Sequence, residues 1–260
     1  MKNKTITEFE LLIESHLDLE RQGPGSAEMT LKALSFIMNL DSNSKIADIG
    51  CGTGGQTMIL AKNTGGHITG VDMVADFINI FNDASKKHNF SDRVQGIVGD
   101  ALKLPFEKDG FDLIWSEGMI DSLGFEKTLS YWNGFLKTDG YIAVTSPSWL
   151  TTEKPAEIEK FWIDAGSGLY SIESNIESMQ KSGYSFVAAF TLPEECWIQN
   201  YFIPRQATEK ELLIKYPEDK TVEDYVHSMK YEVDLYEKHK QHYGYVFYIG
   251  KKMGEKLSRK

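Results

Sequence analysis

The sequence predicts an α/β protein built on a mostly parallel sheet of about seven strands with helices on both faces. Three observations carry that expectation. From residue 45 onward, short apolar runs alternate with segments of helical spacing at a steady pitch, the rhythm of strand–helix–strand units. The first of those runs ends in a glycine-rich turn, Gly50-Cys-Gly-Thr-Gly-Gly55. The chain has 260 residues, 41% hydrophobic and 25% charged, without a repeat, a linker or a composition break to mark a second independent domain. One domain over 1–260 is therefore expected, with its core at about 41–150.

The elements follow in order. Ile6, Phe9, Ile13 and Leu17 recur at helical spacing, so 5–20 reads as an amphipathic helix. The turn-forming run Arg21-Gln-Gly-Pro-Gly-Ser26 stops it, and Ser26 can cap a second helix over about 27–40. Strands are expected at Lys45–Ile49, His67–Val71, Val94–Val98, Phe111–Ser116 and Tyr141–Thr145. Helices are expected at Gln56–Lys62, Ala75–His88 and Glu126–Leu136. After Pro147 the alternation breaks. Residues 153–165 and 172–182 read as helix, Tyr184–Leu192 as strand, and 193–220 as irregular and aromatic. Thr221 then opens a long helix, with Asp224 as capping partner. Val222, Tyr225, Val226, Met229, Val233 and Tyr236 form its core-facing stripe, and Tyr243–Gly250 is a last strand before a basic tail.

Charge and cysteine usage narrow the function. Against 28 Lys+Arg stand 38 Asp+Glu, a net charge of −10 that repels phosphate backbones and argues against a nucleic-acid partner. Cys51 and Cys196 are too few for a disulfide framework or a cysteine-rich metal cluster, and suit a reducing cytoplasm. Acidic residues precede any apolar run at the N-terminus, unlike a signal peptide, and no uncharged stretch approaches the roughly 20 residues that span a bilayer. A cytoplasmic protein without a membrane partner is expected.

The glycine turn admits two ligands. Gly50, Gly52 and Gly55 fit the dinucleotide spacing, with Asp72 about 20 residues on to bind a ribose. Asp48, however, stands two residues before the first glycine, where a pyrophosphate would feel its charge. Asp72, Asp100 and Glu117 end or follow the second, third and fourth strands, whose ends face one crevice in such a sheet. Carboxylates gathered there suit a ligand with positive charge and sugar hydroxyls, such as a sulfonium nucleoside. Each acid taken singly is as readily a helix cap.

Residues 45–146 resemble the class I S-adenosylmethionine-dependent methyltransferases, small-molecule members among them. The resemblance rests on Ala47-Asp-Ile-Gly-Cys-Gly-Thr-Gly54, Val71-Asp72, Gly99-Asp100-Ala101, Phe111-Asp-Leu-Ile-Trp-Ser-Glu117 and Leu136-Lys-Thr-Asp-Gly-Tyr-Ile-Ala-Val144. In the last segment Thr138-Asp139 stands where the family has Pro-Gly. The resemblance implies a Rossmann-like seven-stranded sheet with its last strand antiparallel and helical insertions over the active site. It implies S-adenosyl-L-methionine as cofactor, leaving as S-adenosyl-L-homocysteine. Gly50, Gly52 and Gly54 would line its methionine and ribose portions, and Asp48 and Cys51 of the same segment would also bind the cofactor. Asp72 would take the ribose hydroxyls and Met73 pack on the adenine. Asp100 would accept from the adenine amino group beside Ala101. Glu117 would lie at the methionine end, and Gln22 or Ser26 would touch the cofactor from the segment before the sheet.

Transfer from a sulfonium needs an aligned acceptor more than a triad. Glu117 and Asp121 follow the fourth strand and are the nearest base candidates; a cofactor contact and a helix cap are the plainer roles for them. The insertions at about 1–30, 151–182 and 193–242 are rich in aromatics, and Trp149, Trp197 and Tyr201 are expected at an enclosed acceptor pocket, or else in the core of a helical cap. No metal site is expected: His239 and His242 lack further ligands at suitable spacing. The expected function is methyl transfer to an O, N, C or S atom of a small molecule, with a homodimer left open. The rivals are a non-catalytic S-adenosylmethionine-binding protein and an NAD-dependent oxidoreductase.

Overall fold

The computed structural model describes residues 6–254. The start of the first expected helix at residue 5 and the end of the basic tail lie outside the described residues.

One mixed sheet organises the chain. Its strands are β1 (Lys45–Ile49), β2 (His67–Asp72), β3 (Val94–Val98), β4 (Phe111–Ser116), β5 (Leu136–Trp149), β6 (Tyr170–Ser171), β7 (Tyr184–Thr191) and β8 (Tyr243–Lys252). Their order is β3-β2-β1-β4-β5-β8-β7, with two-residue β6 paired to β5 off that path. β8 runs antiparallel to both its neighbours, and the other pairs are parallel. The expected seven strands with an antiparallel last strand are thus present, supplemented by β6. β5 is far longer than the expected 141–145. It continues through Asp139, whose left-handed φ of 65° is one that a short polar side chain tolerates where the family carries glycine.

Helices cover both faces. On one lie α2 (Ala27–Leu34), α3 (Gly55–Asn63) and α4 (Ala75–Lys87), with α7 (Ala156–Asp164), α9 (Glu194–Trp197) and α11 (Lys220–His239). On the other lie α5 (Ile120–Leu123), α6 (Phe125–Asn133) and α8 (Ile172–Lys181). α1 (Glu8–His16) and α10 (Ile203–Lys215) meet α11 in a satellite core of Leu11, Leu212, Val222 and Tyr225. No helix among the described residues is long and apolar enough to cross a membrane.

Several expectations need correction. α1 is a nine-residue helix set by a Thr7–Glu10 capping box, and Phe9 of the expected stripe is exposed. Its buried face is Leu11, Ser15 and His16, because α10 and α11 pack there. α2 stops at Leu34, short of residue 40, although Ser26 does cap it, accepting from the Met29 N–H at 3.1 Å. The helix expected at 126–136 is present as α6 but ends at Asn133, since Leu136 already opens β5, and a short α5 precedes it across Gly124 at φ 87°. Residues 194–215 are helical throughout, through α9, a π-helical turn at Ile198–Phe202, and α10. Pro204 stands where the π-helical turn passes into α10. Finally, α11 is capped by Asp219, which accepts from the N–H groups of Thr221 and Val222. Asp224 instead pairs with Lys220, 3.1 Å away.

Candidate active site

The C-terminal ends of β1, β2 and β4 open on one cavity of about 160 Å³. Its walls are Gly50, Gly52 and Gln56 after β1, Asp72 after β2, and Glu117, Gly118 and Met119 after β4. Phe77 on α4 and the loop Arg21–Pro24 complete it.

Two glycines make the floor. Gly50 has φ 74°, and a Cβ there would stand 2.6 Å from Met119 Sδ. Gly52 has φ 53°, and a Cβ there would stand 1.9 Å from Gln22 Oε1. Only a residue without a side chain permits this backbone and this approach. Gln22 lies across Gly52 as a clip. Its Oε1 accepts from the Thr53 N–H at 3.0 Å, and its Nε2 donates to Thr53 Oγ1 at 2.9 Å and to the Leu19 carbonyl at 3.0 Å.

Asp72 faces this floor. Its Oδ2 accepts from the Gly52 N–H at 3.0 Å and its Oδ1 from the Val74 N–H at 2.9 Å. Burial nevertheless pushes its carboxyl up, so further donors, such as two vicinal hydroxyls, would steady the ionised form. Glu117 closes the opposite side. Its Oε2 pairs with Arg21 Nη1 at 2.8 Å, while Oε1 accepts from Thr30 Oγ1 and Trp115 Nε1, each at 2.9 Å. Arg21 Nη2 also donates to Thr30 Oγ1 at 3.0 Å. Both carboxylate oxygens are therefore engaged, and the ion pair bolts the loop before α2 to the end of β4.

Asp48 lies beneath the glycine turn, fully buried, held by the Thr57 hydroxyl and by Gln56 Nε2 at 3.5 Å. Burial pushes its carboxyl up to about 7, against the opposing pull of the Thr57 hydrogen bond; nearby Glu117 adds to the rise. Cys51 is buried and its thiol is pushed up by burial.

Of the expected cofactor residues, Gln22, Gly50, Gly52, Asp72 and Glu117 line the cavity. Gly54 caps α3 with a left-handed backbone, and Ser26 caps α2. Met73 and Asp100 are exposed, and Ala101 half-buried, along the rims of β2 and β3. Asp100 accepts from the Leu102 N–H at 2.8 Å within its own turn. Arg21, from the segment expected over the cofactor, also lines the cavity, and Gln56, Phe77 and Met119 join it without a signal of their own in the sequence reading. Gln56 and Phe77 sit in first helical turns behind strand ends, a placement that could have marked them.

The three expected acceptor-pocket aromatics are packed in the core. Trp149 and Trp197 are 2% and 1% exposed, and Tyr201 is buried beside them. Trp197 stacks on Tyr236 with centroids 4.4 Å apart, and Tyr201 accepts from Arg205 Nη1 at 3.0 Å. Asp121 lies two residues beyond Met119, at the start of α5. Its Oδ2 accepts from Ser167 Oγ at 2.7 Å, its Oδ1 is buried with no hydrogen-bond partner among the described residues, and burial pushes the carboxyl up. His239 meets Glu157 Oε2 at 3.0 Å and His242 meets Thr151, so the two imidazoles have separate partners.

A glycine floor, the Asp72 carboxylate and a sealed acid beneath the turn thus meet in one crevice at the strand ends. A methyltransferase-domain family model matches residues 40–188, more than half the chain, and the chain belongs to that family, the class I methyltransferases. Among curated relatives, phosphoethanolamine N-methyltransferase of Plasmodium falciparum is 33% identical over 133 residues, 50% of this chain and 48% of its own length. Demethylmenaquinone methyltransferase of Staphylococcus saprophyticus is 34% identical over 119 residues, 44% of this chain and 49% of its own. The chain spans less than half the length of these relatives. Among solved structures, a methyltransferase from Geobacter sulfurreducens in complex with S-adenosyl-L-homocysteine superposes with a TM-score of 0.80 at 19% identity. That match covers 92% of this chain and 96% of the other, and shows the shared fold.

Proposed function

We propose that the protein transfers a methyl group from S-adenosyl-L-methionine to a small-molecule acceptor. The observation that carries the reading is the pair Gly52–Asp72: a left-handed backbone with no room for a Cβ, laid against a half-buried carboxylate with capacity for further donors. When bound, S-adenosyl-L-methionine supplies a methyl group on a sulfonium and leaves as S-adenosyl-L-homocysteine.

The chain's own residues bind and orient. Asp72 would hold the ribose hydroxyls, and Gly50 and Gly52 would admit the sulfonium end close to the backbone. Met73, Asp100 and Ala101 would frame the adenine at the β2–β3 rim. Glu117, with both oxygens taken, acts as a positioning residue that fixes Arg21 and the roof loop. Asp121, with an unpartnered oxygen, is the better proton acceptor. A cavity of about 160 Å³ is below the roughly 300 Å³ at which ligand sites begin, so the crevice must widen when the cofactor enters. The net charge of −10 and two buried thiols support a cytoplasmic setting and a partner other than nucleic acid.

Calorimetric titration with S-adenosylmethionine, S-adenosylhomocysteine and NAD tests the reading. The two sulfur nucleosides should bind and NAD should not. Asp72→Ala should weaken them at least tenfold, since a hydrogen bond to a charged group contributes about 1.5–3 kcal/mol. Binding of NAD alone, or of none of the three, would overturn it.

A further inference from the structure

The walls of the glycine crevice differ in what holds them. Gly50, Asp72 and Glu117 stand at or just past strand ends fixed by the sheet, and Phe77 belongs to α4. The loop Arg21–Pro24 belongs to neither a strand nor a helix and is held by three sets of bonds. Gln22 is tied to Thr53 beside the glycine floor. Arg21 is tied to Glu117 and to Thr30. Both of these grip the crevice itself.

The third set reaches outward, to α9 and the π-helical turn. Gly25 donates its N–H to the Cys196 carbonyl at 3.4 Å, and its own carbonyl accepts from Asn200 Nδ2 at 2.8 Å. The same glycine lies against the ion pair of the crevice: a Cβ there would stand 3.0 Å from Arg21 Nη1 and 3.0 Å from Glu117 Oε2. One residue thus joins the grip of α9 and the π-helical turn to the roof of the crevice. Turns of the π type are rare and recur at functional sites. Asn200 is the middle residue of this one, and it is exposed, so its amide is not needed to fill the core.

We propose that Asn200 is a positioning residue for cofactor exchange: it latches the Arg21–Ser26 loop shut, and its bond to Gly25 breaks whenever an S-adenosyl nucleoside enters or leaves. The proposal rests on the methyl-transfer reading for the identity of the nucleoside. A crevice of about 160 Å³ has to widen to admit it. The strand ends cannot part without breaking the pairing of β1 with β2 and β4, whereas the loop lifts by giving up a few hydrogen bonds. The latch closes over an empty crevice and a filled one alike, so it slows traffic in both directions. Its loss speeds entry and exit together and leaves affinity nearly unchanged.

Stopped-flow mixing with S-adenosylhomocysteine, read by tryptophan fluorescence, tests this, and surface plasmon resonance supplies the same two rate constants. Trp115 gives a nearby signal, since its Nε1 donates to Glu117 Oε1 at 2.9 Å. Asn200→Ala should raise both the association and the dissociation rate constant about threefold or more, the factor one neutral hydrogen bond supplies, while Kd moves by about twofold at most. Asn200→Asp keeps the size of the side chain but, ionised, has no N–H to donate, so it should match Asn200→Ala. A merely structural role would lower Tm and leave both rates in place. Unchanged rates, a change in one rate alone, or an Asn200→Asp variant that exchanges like the wild type would overturn the latch. If S-adenosylhomocysteine binds and the variants exchange at wild-type rates, only the latch falls; if the wild type does not bind it, the methyl-transfer reading falls and the latch with it.

Discussion

Asp48 shows how a single carboxylate under the glycine turn governs pH behaviour. The folded protein holds its proton up to about pH 7, whereas the ordinary aspartate value is 3.8. Between those values the folded state binds more protons than the unfolded one, so stability falls as pH rises and the contribution of Asp48 is lost through about pH 7. Asp48→Asn should flatten that fall: its Tm should decline less from pH 5 to pH 8 than that of the wild type, measured by thermal unfolding. An unchanged slope would mean that Asp48 ionises normally within its pocket. At this scale the sequence was informative about residue types at strand ends. It placed Asp48, Asp72 and Glu117 beside the glycines, but not the partner of each. Arg21 and Glu117 are 96 residues apart, and no local spacing announces a bridge over that distance.

The elements divide along the same line. The parallel strands and the helices between them were legible because burial on both faces leaves continuous apolar runs bounded by turn residues. The segment from 194 to 215 was not, because its aromatic density masks any amphipathic period and Pro204 reads as a breaker unless the helix start is known. What fixes α10 is one buried side chain. Arg205, fully buried, pairs with Glu209 at 2.8 Å and Glu232 of α11 at 2.5 Å, and donates to the Met229 carbonyl at 2.9 Å. Its guanidinium also lies 4.8 Å over the Tyr201 ring. Arg205→Leu leaves two carboxylates facing each other across α10 and α11. A loss of about 3–5 kcal/mol is expected from denaturant unfolding, the usual cost of removing one side of a buried ion pair. Glu209→Gln together with Glu232→Gln in the Arg205→Leu background should recover part of it, since the stranded charges are then gone.

Across the whole molecule, opposing titrations meet in one pH window. Burial lowers the His16 imidazole from 6.5 to about 4, helped by the Arg205 charge and resisted by the Leu12 carbonyl. Its contribution to stability is therefore complete above pH 6.5 and drains away as pH falls through about 4. Asp48 acts in the reverse sense over much of that range, and Asp72, Asp121 and Glu209, all pushed up by burial, join it. His16→Gln removes the opposing limb, so this variant should gain more stability than the wild type between pH 6.5 and pH 4, whatever its absolute Tm.

The long reach of α1 has a consequence for how the molecule comes together. Ser15 meets the Tyr225 hydroxyl at 2.7 Å across 210 residues of chain, and Thr208 donates to the Ser15 carbonyl at 2.7 Å. Pairings of such separation form late, after nearer neighbours have already condensed. During synthesis the parallel strands β1 to β5 can assemble while α1 waits for α10 and α11 to leave the ribosome. Gln22 and Arg21 meet Thr53 and Glu117 earlier in synthesis, so the nascent chain would roof its glycine crevice before α1 gains its own seat.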